Sequence, residues 1–246
     1  MTAAAGIPDG AAATRIADNL AAIRGRVAEA CRRAGRDPAG VTVIAVTKYV
    51  DAATARLVHA AGCVDLAESR PQSLWAKAEA LAGLTPPPRW HLVGHLQRNK
   101  IRRTLAVDPL VHSLDSLRLL EALAAEAAAT GRPCEALLEI NLVGDPGRTG
   151  ATAADAAAIV SAAAALPQVR LRGLMGMASQ PDGDPDAARR EFARLRELRD
   201  HFAATLPGGA ALRELSMGMS GDFPAAILEG ATMIRVGTAV FAGPGG

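Results

Sequence analysis

Apolar positions along this chain keep switching between two periods. Stretches with an apolar residue every three or four positions have the spacing of an amphipathic helix. They alternate with short runs that are apolar almost throughout, as strands buried on both faces are. Helices are predicted over 14–34, 52–61, 71–81, 97–106, 116–130, 153–165, 185–204 and 223–229. Strands are predicted over 41–47, 63–68, 90–94, 110–114, 134–142, 171–177, 214–217 and 233–237. Thr14 and Ser116 are placed to cap helix starts, and Gly35 and Gly131 stand where helix ends favour glycine. One helix between each strand and the next argues a single α/β domain with a parallel sheet. Eight strands in about 250 residues is the size of a closed (β/α)8 TIM barrel. An open doubly wound sheet satisfies the same periodicity. Too few residues follow the last strand for an outer helix, so the extra N-terminal helix at 14–34 is expected to cover that gap. Residues 1–13, rich in small side chains, read as a flexible tail ahead of a barrel domain over 14–246. The Thr85-Pro86-Pro87-Pro88 segment reads as a stiff loop, not a linker.

Composition narrows the function without changing this architecture. Half of the 246 residues are hydrophobic and only 3% are aromatic, so aliphatic side chains and alanine must fill the core. Alanine-rich stretches such as 122–129 favour helix. The net charge of +2 is made of scattered charges of both signs, which leaves no electrostatic footprint for nucleic acid. The densest basic stretch, 98–103, lacks interleaved aromatics and reads as a solvated helix face. Cys31, Cys63 and Cys134 are far apart, without metal-type spacing, and read as reduced cysteines of a cytoplasmic protein. Polar residues interrupt every apolar run before it reaches the length of a membrane span, and no secretory signal opens the chain.

Candidate chemistry gathers at the carboxyl ends of the predicted strands, where α/β folds build their sites. Lys48 closes the first strand, and a partly desolvated lysine there can attack a carbonyl to give a Schiff base. Alternatively, it merely opens a surface loop. After the seventh strand, Ser216-Met217-Gly218-Met219-Ser220-Gly221-Asp222 supplies hydroxyls and glycines before a helix, a setting that favours anions. After the eighth, Arg235-Val236-Gly237-Thr238 adds a cation, a glycine and a hydroxyl. Loops after strands seven and eight hold phosphate in many barrels. With Lys48, they describe a site for a phosphorylated aldehyde.

Several segments carry a resemblance. Ala45-Val46-Thr47-Lys48, Trp90-His91-Leu92-Val93-Gly94-His95-Leu96-Gln97-Arg98-Asn99-Lys100, Arg172-Gly173-Leu174-Met175, Leu215-Ser216-Met217-Gly218-Met219-Ser220 and Met233-Ile234-Arg235-Val236-Gly237-Thr238 are similar, in order, to the YggS/PROSC family. These are pyridoxal 5′-phosphate (PLP) homeostasis proteins, related in fold to the amino-terminal barrel of alanine racemase. The resemblance implies a fold-type III PLP-binding barrel that is a cytoplasmic monomer. It matches Lys48 to the lysine of the internal aldimine. Ser216 and Ser220 match the phosphate-binding segment, with Ser220 the stronger candidate for contact, and Gly237 and Thr238 the second phosphate element. Arg235 matches the arginine facing the pyridine nitrogen. A guanidinium only donates, so it disfavours a pyridinium and leaves the ring a poorer electron sink. The family's Gly-Glu-Asn-Tyr-like segment is here Ala67-Glu68-Ser69-Arg70. Ser69 therefore stands for the asparagine near the cofactor, and Asn141 is expected at the same mouth. Arg148-Thr149-Gly150 stands where a Lys-Ser-Gly-like loop is common.

Other polar residues have plainer readings. His91 and His95 are expected to be structural, with no metal, and His112 a hydrogen-bonded core residue. Asp115 reads as a helix-start charge. Met175 and Met177 are expected to pack the lumen or the cofactor's flank. Glu139, within an apolar strand, is expected to meet a buried cation. The function this implies is a non-enzymatic PLP carrier that supplies apoenzymes. The alternatives are a low-activity PLP-dependent amino-acid racemase and a Schiff-base aldolase of sugar phosphates. Tyr49, the one tyrosine, adjoins Lys48, and alternation turns it away from the lysine's face.

Overall fold

Eight parallel strands close on themselves in chain order. A computed structural model describes residues 10–145, 147–179 and 186–243. The strands are β1 (Thr42–Val46), β2 (Asp65–Glu68), β3 (Arg89–Leu92), β4 (Leu110–Leu114), β5 (Cys134–Ile140), β6 (Val169–Gly176), β7 (Glu214–Ser216) and β8 (Met233–Val236). Around them lie α1 (Gly10–Arg33), α2 (Ala52–Ala60), α3 (Pro71–Ala80), α4 (Ile101–Leu105), α5 (Leu117–Thr130), α6 (Ala153–Ala164), α7 (Ala187–Thr205), α8 (Phe223–Leu228) and α9 (Thr238–Phe241). Closure is made by β1 and β8, which pair Thr42 with Met233 through to Ala45 with Val236. The open sheet is therefore set aside.

Alternation along each strand divides the buried residues into two shells. Leu66, Leu92, Val111, Leu138, Leu174, Leu215 and Ile234 face outward and join Phe192, Phe223, Leu120 and Leu74 of the helices in one continuous core. The inward positions are mixed. Register aligns Ile44 with Arg235, Ala67 with His91, and Glu139 with Met175, so a lumen lined partly by aliphatics also carries charge. Three of these strands could not bury such residues unless the barrel interior satisfied them.

The N-terminal helix covers the barrel beside its last strand, as expected. α1 packs against α8, α9 and α2, and Asn19 Nδ2 donates to the carbonyls of Val240 and Ala242 at 3.0 and 3.1 Å. Element ends depart from expectation for local reasons. α1 begins at Gly10, and Thr14 lies inside it, its hydroxyl donating to the Gly10 carbonyl instead of capping. Residues 1–9 of the expected tail lie outside the described residues. Ser116 does cap α5, accepting from Leu119 N, and Gly131 ends it at φ +67°. The segment expected as one helix over 97–106 opens as a 3-10 turn at Arg98–Lys100 before α4. The single turn of α9 is too short to leave a period in the sequence.

Candidate functional site

Lys48 leaves β1 on the parity of Ile44 and Val46, toward the carboxyl mouth of the barrel. Its backbone is held from behind. Thr47, fully buried, donates its hydroxyl to Glu68 Oε1 at 2.6 Å. Lys77 Nζ of α3 donates to the Thr47 carbonyl at 2.7 Å and forms an ion pair with the same Glu68 oxygen. A buried carboxylate and ammonium thus clamp the residue that precedes Lys48. Lys48 itself is exposed, with Nζ 4.9 Å from the centroid of the Tyr49 ring. Tyr49 is 87% exposed.

Across the mouth, the loops after β7 and β8 are tied to each other. Ser220 Oγ accepts from Gly237 N and Ala239 N, both at 3.3 Å. These long bonds gather two backbone donors and a hydroxyl around one point, the elements of an anion cradle. Thr238 begins α9 beside them and is exposed. Gly218 shapes the turn: its φ is +91°, and a Cβ there would lie 2.8 Å from Phe223 Cα. Asp222 closes the turn by accepting from Met219 N. Its other oxygen is buried without a partner among the described residues, and burial pushes this carboxyl up from its usual range. Ser216 stands apart from this cradle. It is wholly buried, with its Oγ in the lumen.

Beneath the mouth lies Arg235, 5% exposed. Its Nη1 donates to Ser216 O and Ser216 Oγ, both at 2.7 Å, and Nη2 to the Gly176 carbonyl at 3.0 Å. Three of five donors are spent on neutral oxygens, which leaves two for a ligand. Burial pulls its pKa down to about 10, against the opposing pull of Asp222 and Glu139. Glu139 does not meet a cation in an ion pair as expected. Its Oε1 accepts from the Thr149 hydroxyl at 2.6 Å, and burial raises its carboxyl.

The hydrogen bonds continue down the lumen. His112 Nδ1 lies 3.0 Å from Ser216 Oγ, and its Nε2 lies 2.9 Å from His91 Nδ1. His91 Nε2 reaches Asp65 Oδ1 at 3.1 Å, and Asp65 also pairs with Arg89. His112 has no exposed surface, and desolvation first, then His91 and Arg235, depress its basicity well below the ordinary imidazole value. This connection is the part that sequence reading missed, although His112 is a buried hydrogen-bonded residue as expected. Its one signal was polar side chains recurring in strands otherwise apolar.

Ser69 is half-buried at the end of β2, pinned by Gly94, where a Cβ would come within 2.1 Å of the Ser69 carbonyl oxygen. Arg70 beside it is exposed. Asn141 follows β5 but commits its side chain to its own loop, donating to Asp145 O at 2.8 Å and accepting from Gly144 N. His95 lies at the rim, 58% exposed and 3.8 Å from Asp115. Met175 is buried between β5 and β7 positions that face the lumen. An amine, an anion cradle and a guanidinium with two free donors therefore share one end of the barrel. They fit a flat aldehyde with an acceptor on its ring and an anionic tail.

Known proteins point the same way. The family described as alanine racemase, N-terminal domain, matches residues 19–244. The pyridoxal phosphate homeostasis protein of Pseudomonas aeruginosa is 41% identical over 226 residues, covering 92% of this chain and 94% of that protein. That of Escherichia coli strain K12 is 33% identical, with 92% and 95% covered. Among solved structures, PipY of Synechococcus elongatus with PLP bound is 37% identical at a TM-score of 0.78, covering 92% of this chain and all of PipY. The alanine racemase of E. faecalis, at 16% identity and a TM-score of 0.67, shares the fold over 57% of its length.

Proposed function

This chain belongs to the pyridoxal phosphate homeostasis proteins built on the alanine racemase N-terminal domain, and from that premise we propose that it binds pyridoxal 5′-phosphate and maintains its supply. The observation that carries the reading is the convergence of Lys48, the Ser220-bridged loops and Arg235 on one mouth, in a chain 37% identical to PLP-bound PipY. When bound, the cofactor supplies an aldehyde that condenses with an amine and a ring that absorbs visible light. Lys48 provides the amine, from a loop fixed by Glu68 and Lys77. The N–H groups of Gly237 and Ala239, with the hydroxyls of Ser220 and Thr238, hold the phosphate. Arg235 donates to the ring nitrogen and keeps a proton off it, which favours storage over demanding carbanion chemistry. Ser69 lies on the ring side of the mouth. Ser216 and Asn141, both spoken for by protein partners, support the site from behind and beside it.

We take the protein to be a cytoplasmic monomer that hands PLP to apoenzymes. Among the described residues no helix is long and apolar enough to cross a membrane. One observation favours this over racemization: the chain is 41% identical to a homeostasis protein of which it covers 94%, whereas its likeness to a racemase is one of fold alone. The purified protein should be yellow, and borohydride treatment followed by peptide mass mapping should find the modification on Lys48. Lys48→Ala should lose the visible band while keeping some PLP through its phosphate. An unmodified Lys48 in cofactor-saturated protein would overturn the assignment. Deuterium washed into L-alanine at racemase-like rates would overturn the carrier reading, and light scattering decides the monomer.

A further inference from the structure

We propose that Asp65, His91, His112 and Ser216 form a one-directional hydrogen-bond relay through the barrel that positions Arg235, so that a carboxylate at the amino-terminal mouth aims the guanidinium at the carboxyl mouth. It rests on the reading of Arg235 as the group that meets the cofactor's ring nitrogen. His91, His112, Ser216 and Asp65 are positioning residues in this scheme; none touches the cofactor.

The direction follows from the two ends. Arg235 has donors only, so at 2.7 Å Ser216 Oγ must accept from Nη1. Asp65 as a carboxylate has acceptors only, so at 3.1 Å His91 Nε2 must carry the proton. We take His91 as neutral: its Nδ1 is then bare and can only accept, and at 2.9 Å its donor is His112 Nε2–H. A neutral His112 in turn has a bare Nδ1, which accepts the Ser216 hydroxyl proton at 3.0 Å. With both rings neutral, each tautomer follows from its neighbour's, and every proton points toward Asp65. The arrangement leaves Ser216 Oγ a pure acceptor toward Arg235, strengthened by donating its own proton onward. Both Nη1 hydrogens and one Nη2 hydrogen are thereby pinned, and the remaining two donors have one orientation.

Arg235 needs such support. Among the described residues no carboxylate lies within ion-pair distance of it, and its direct partners are neutral. Asp65, in contrast, opens onto a cavity of about 590 Å³ at the amino-terminal end, shared with Arg89, His91, Glu135, Arg172 and Glu214. The side chains of that cavity are already paired with one another, through Arg89 with Asp65 and Arg172 with Glu135 and Glu214, which makes it a counter-charge for the relay and not a ligand site.

Two measurements test this, one without cofactor. In nitrogen-labelled apoprotein, the N–H···N bond should give a scalar coupling between the two rings, with the proton on His112 Nε2 and both Nδ1 atoms bare. Asp65→Asn can turn an amide donor toward His91, so it should reverse or abolish that coupling and shift the Arg235 Nε–H resonance. Arg89→Gln leaves the carboxylate in place and should preserve both signals. In PLP-loaded protein, Asp65→Asn and His112→Gln should shift the visible absorption maximum while Lys48 remains the reducible site. No coupling in the wild type, a proton found on His91 Nδ1, or an unmoved Arg235 resonance in folded Asp65→Asn overturns the proposal. So does an unmoved absorption band in the loaded variants. A wild type with no visible band defeats the cofactor reading instead, and the apoprotein spectra then decide the relay alone.

Discussion

A single hydroxyl, that of Ser220, joins the loops after β7 and β8 and occupies the position where their backbone donors meet. A hydrogen bond to a charged group contributes about 1.5–3 kcal/mol. Ser220→Ala is therefore expected to weaken PLP binding roughly 10- to 150-fold by equilibrium dialysis, with little change in the melting of the apoprotein. His112 invites a different measurement. Its folded pKa lies well below the unfolded value of 6.5, so below pH 6.5 the unfolded chain binds the extra proton. The stability it contributes is present above pH 6.5 and lost on acidification, at about 1.4 kcal/mol per pH unit. The gap in unfolding free energy between wild type and His112→Gln, followed by urea titration, should narrow at that rate below pH 6.5. These two residues also mark the boundary of what the sequence can show. Ser220 is legible because its loop is one short motif. The partnership of His112 with Ser216 spans 104 residues and depends on barrel register, which no local pattern contains.

At the scale of elements, β1 and α3 show how a loop is made rigid enough to present a lysine. Lys77 projects from α3 to meet both the Thr47 carbonyl and Glu68, and Glu68 keeps one oxygen without a partner among the described residues. Removing one member of a buried pair strands the other, at a cost of about 3–5 kcal/mol. Lys77→Met should lose about that much in urea unfolding, and adding Glu68→Gln should restore most of it. If the double variant is no better than the single, the clamp is not an ion pair in energetic terms. The eight strands and the helices α1 to α8 were legible, because burial on two faces and burial on one leave different periods, whereas the single turn of α9 was not. Element ends were less legible. Thr14 is a good capping residue used within a helix, and the 3-10 turn at Arg98–Lys100 obeys the same polar pattern as the helix it precedes. Such ends are settled by which neighbour packs against them, as α1 is by α8 and α9.

Taken whole, the molecule divides its labour along the barrel axis, as barrels of this architecture do, with chemistry at the carboxyl end and stability at the other. The relay crosses this division. Ordinary electrostatics offers a competing account, since any charge change in the amino-terminal cavity alters the field at Arg235. Arg172 separates the two. It lines the same cavity and pairs with Glu135 and Glu214, but it makes no bond to His91 or Asp65. Its pairs are partly exposed, so Arg172→Gln should cost no more than about 1 kcal/mol of stability. A bonded relay predicts that Arg172→Gln leaves the visible band of PLP-loaded protein where it is, while Asp65→Asn moves it. A purely through-space field predicts shifts of comparable size and opposite direction from the two, because one substitution removes a negative and the other a positive unit charge from the same cavity. Adding salt sharpens the comparison. Screening falls on charges that solvent reaches and largely spares a buried chain of hydrogen bonds, so the effect of Asp65→Asn should persist at high ionic strength. A shift that vanishes with salt, or one matched in size and opposed in direction by Arg172→Gln, would assign the effect to the cavity's field and leave Arg235 positioned by Ser216 and Gly176 alone.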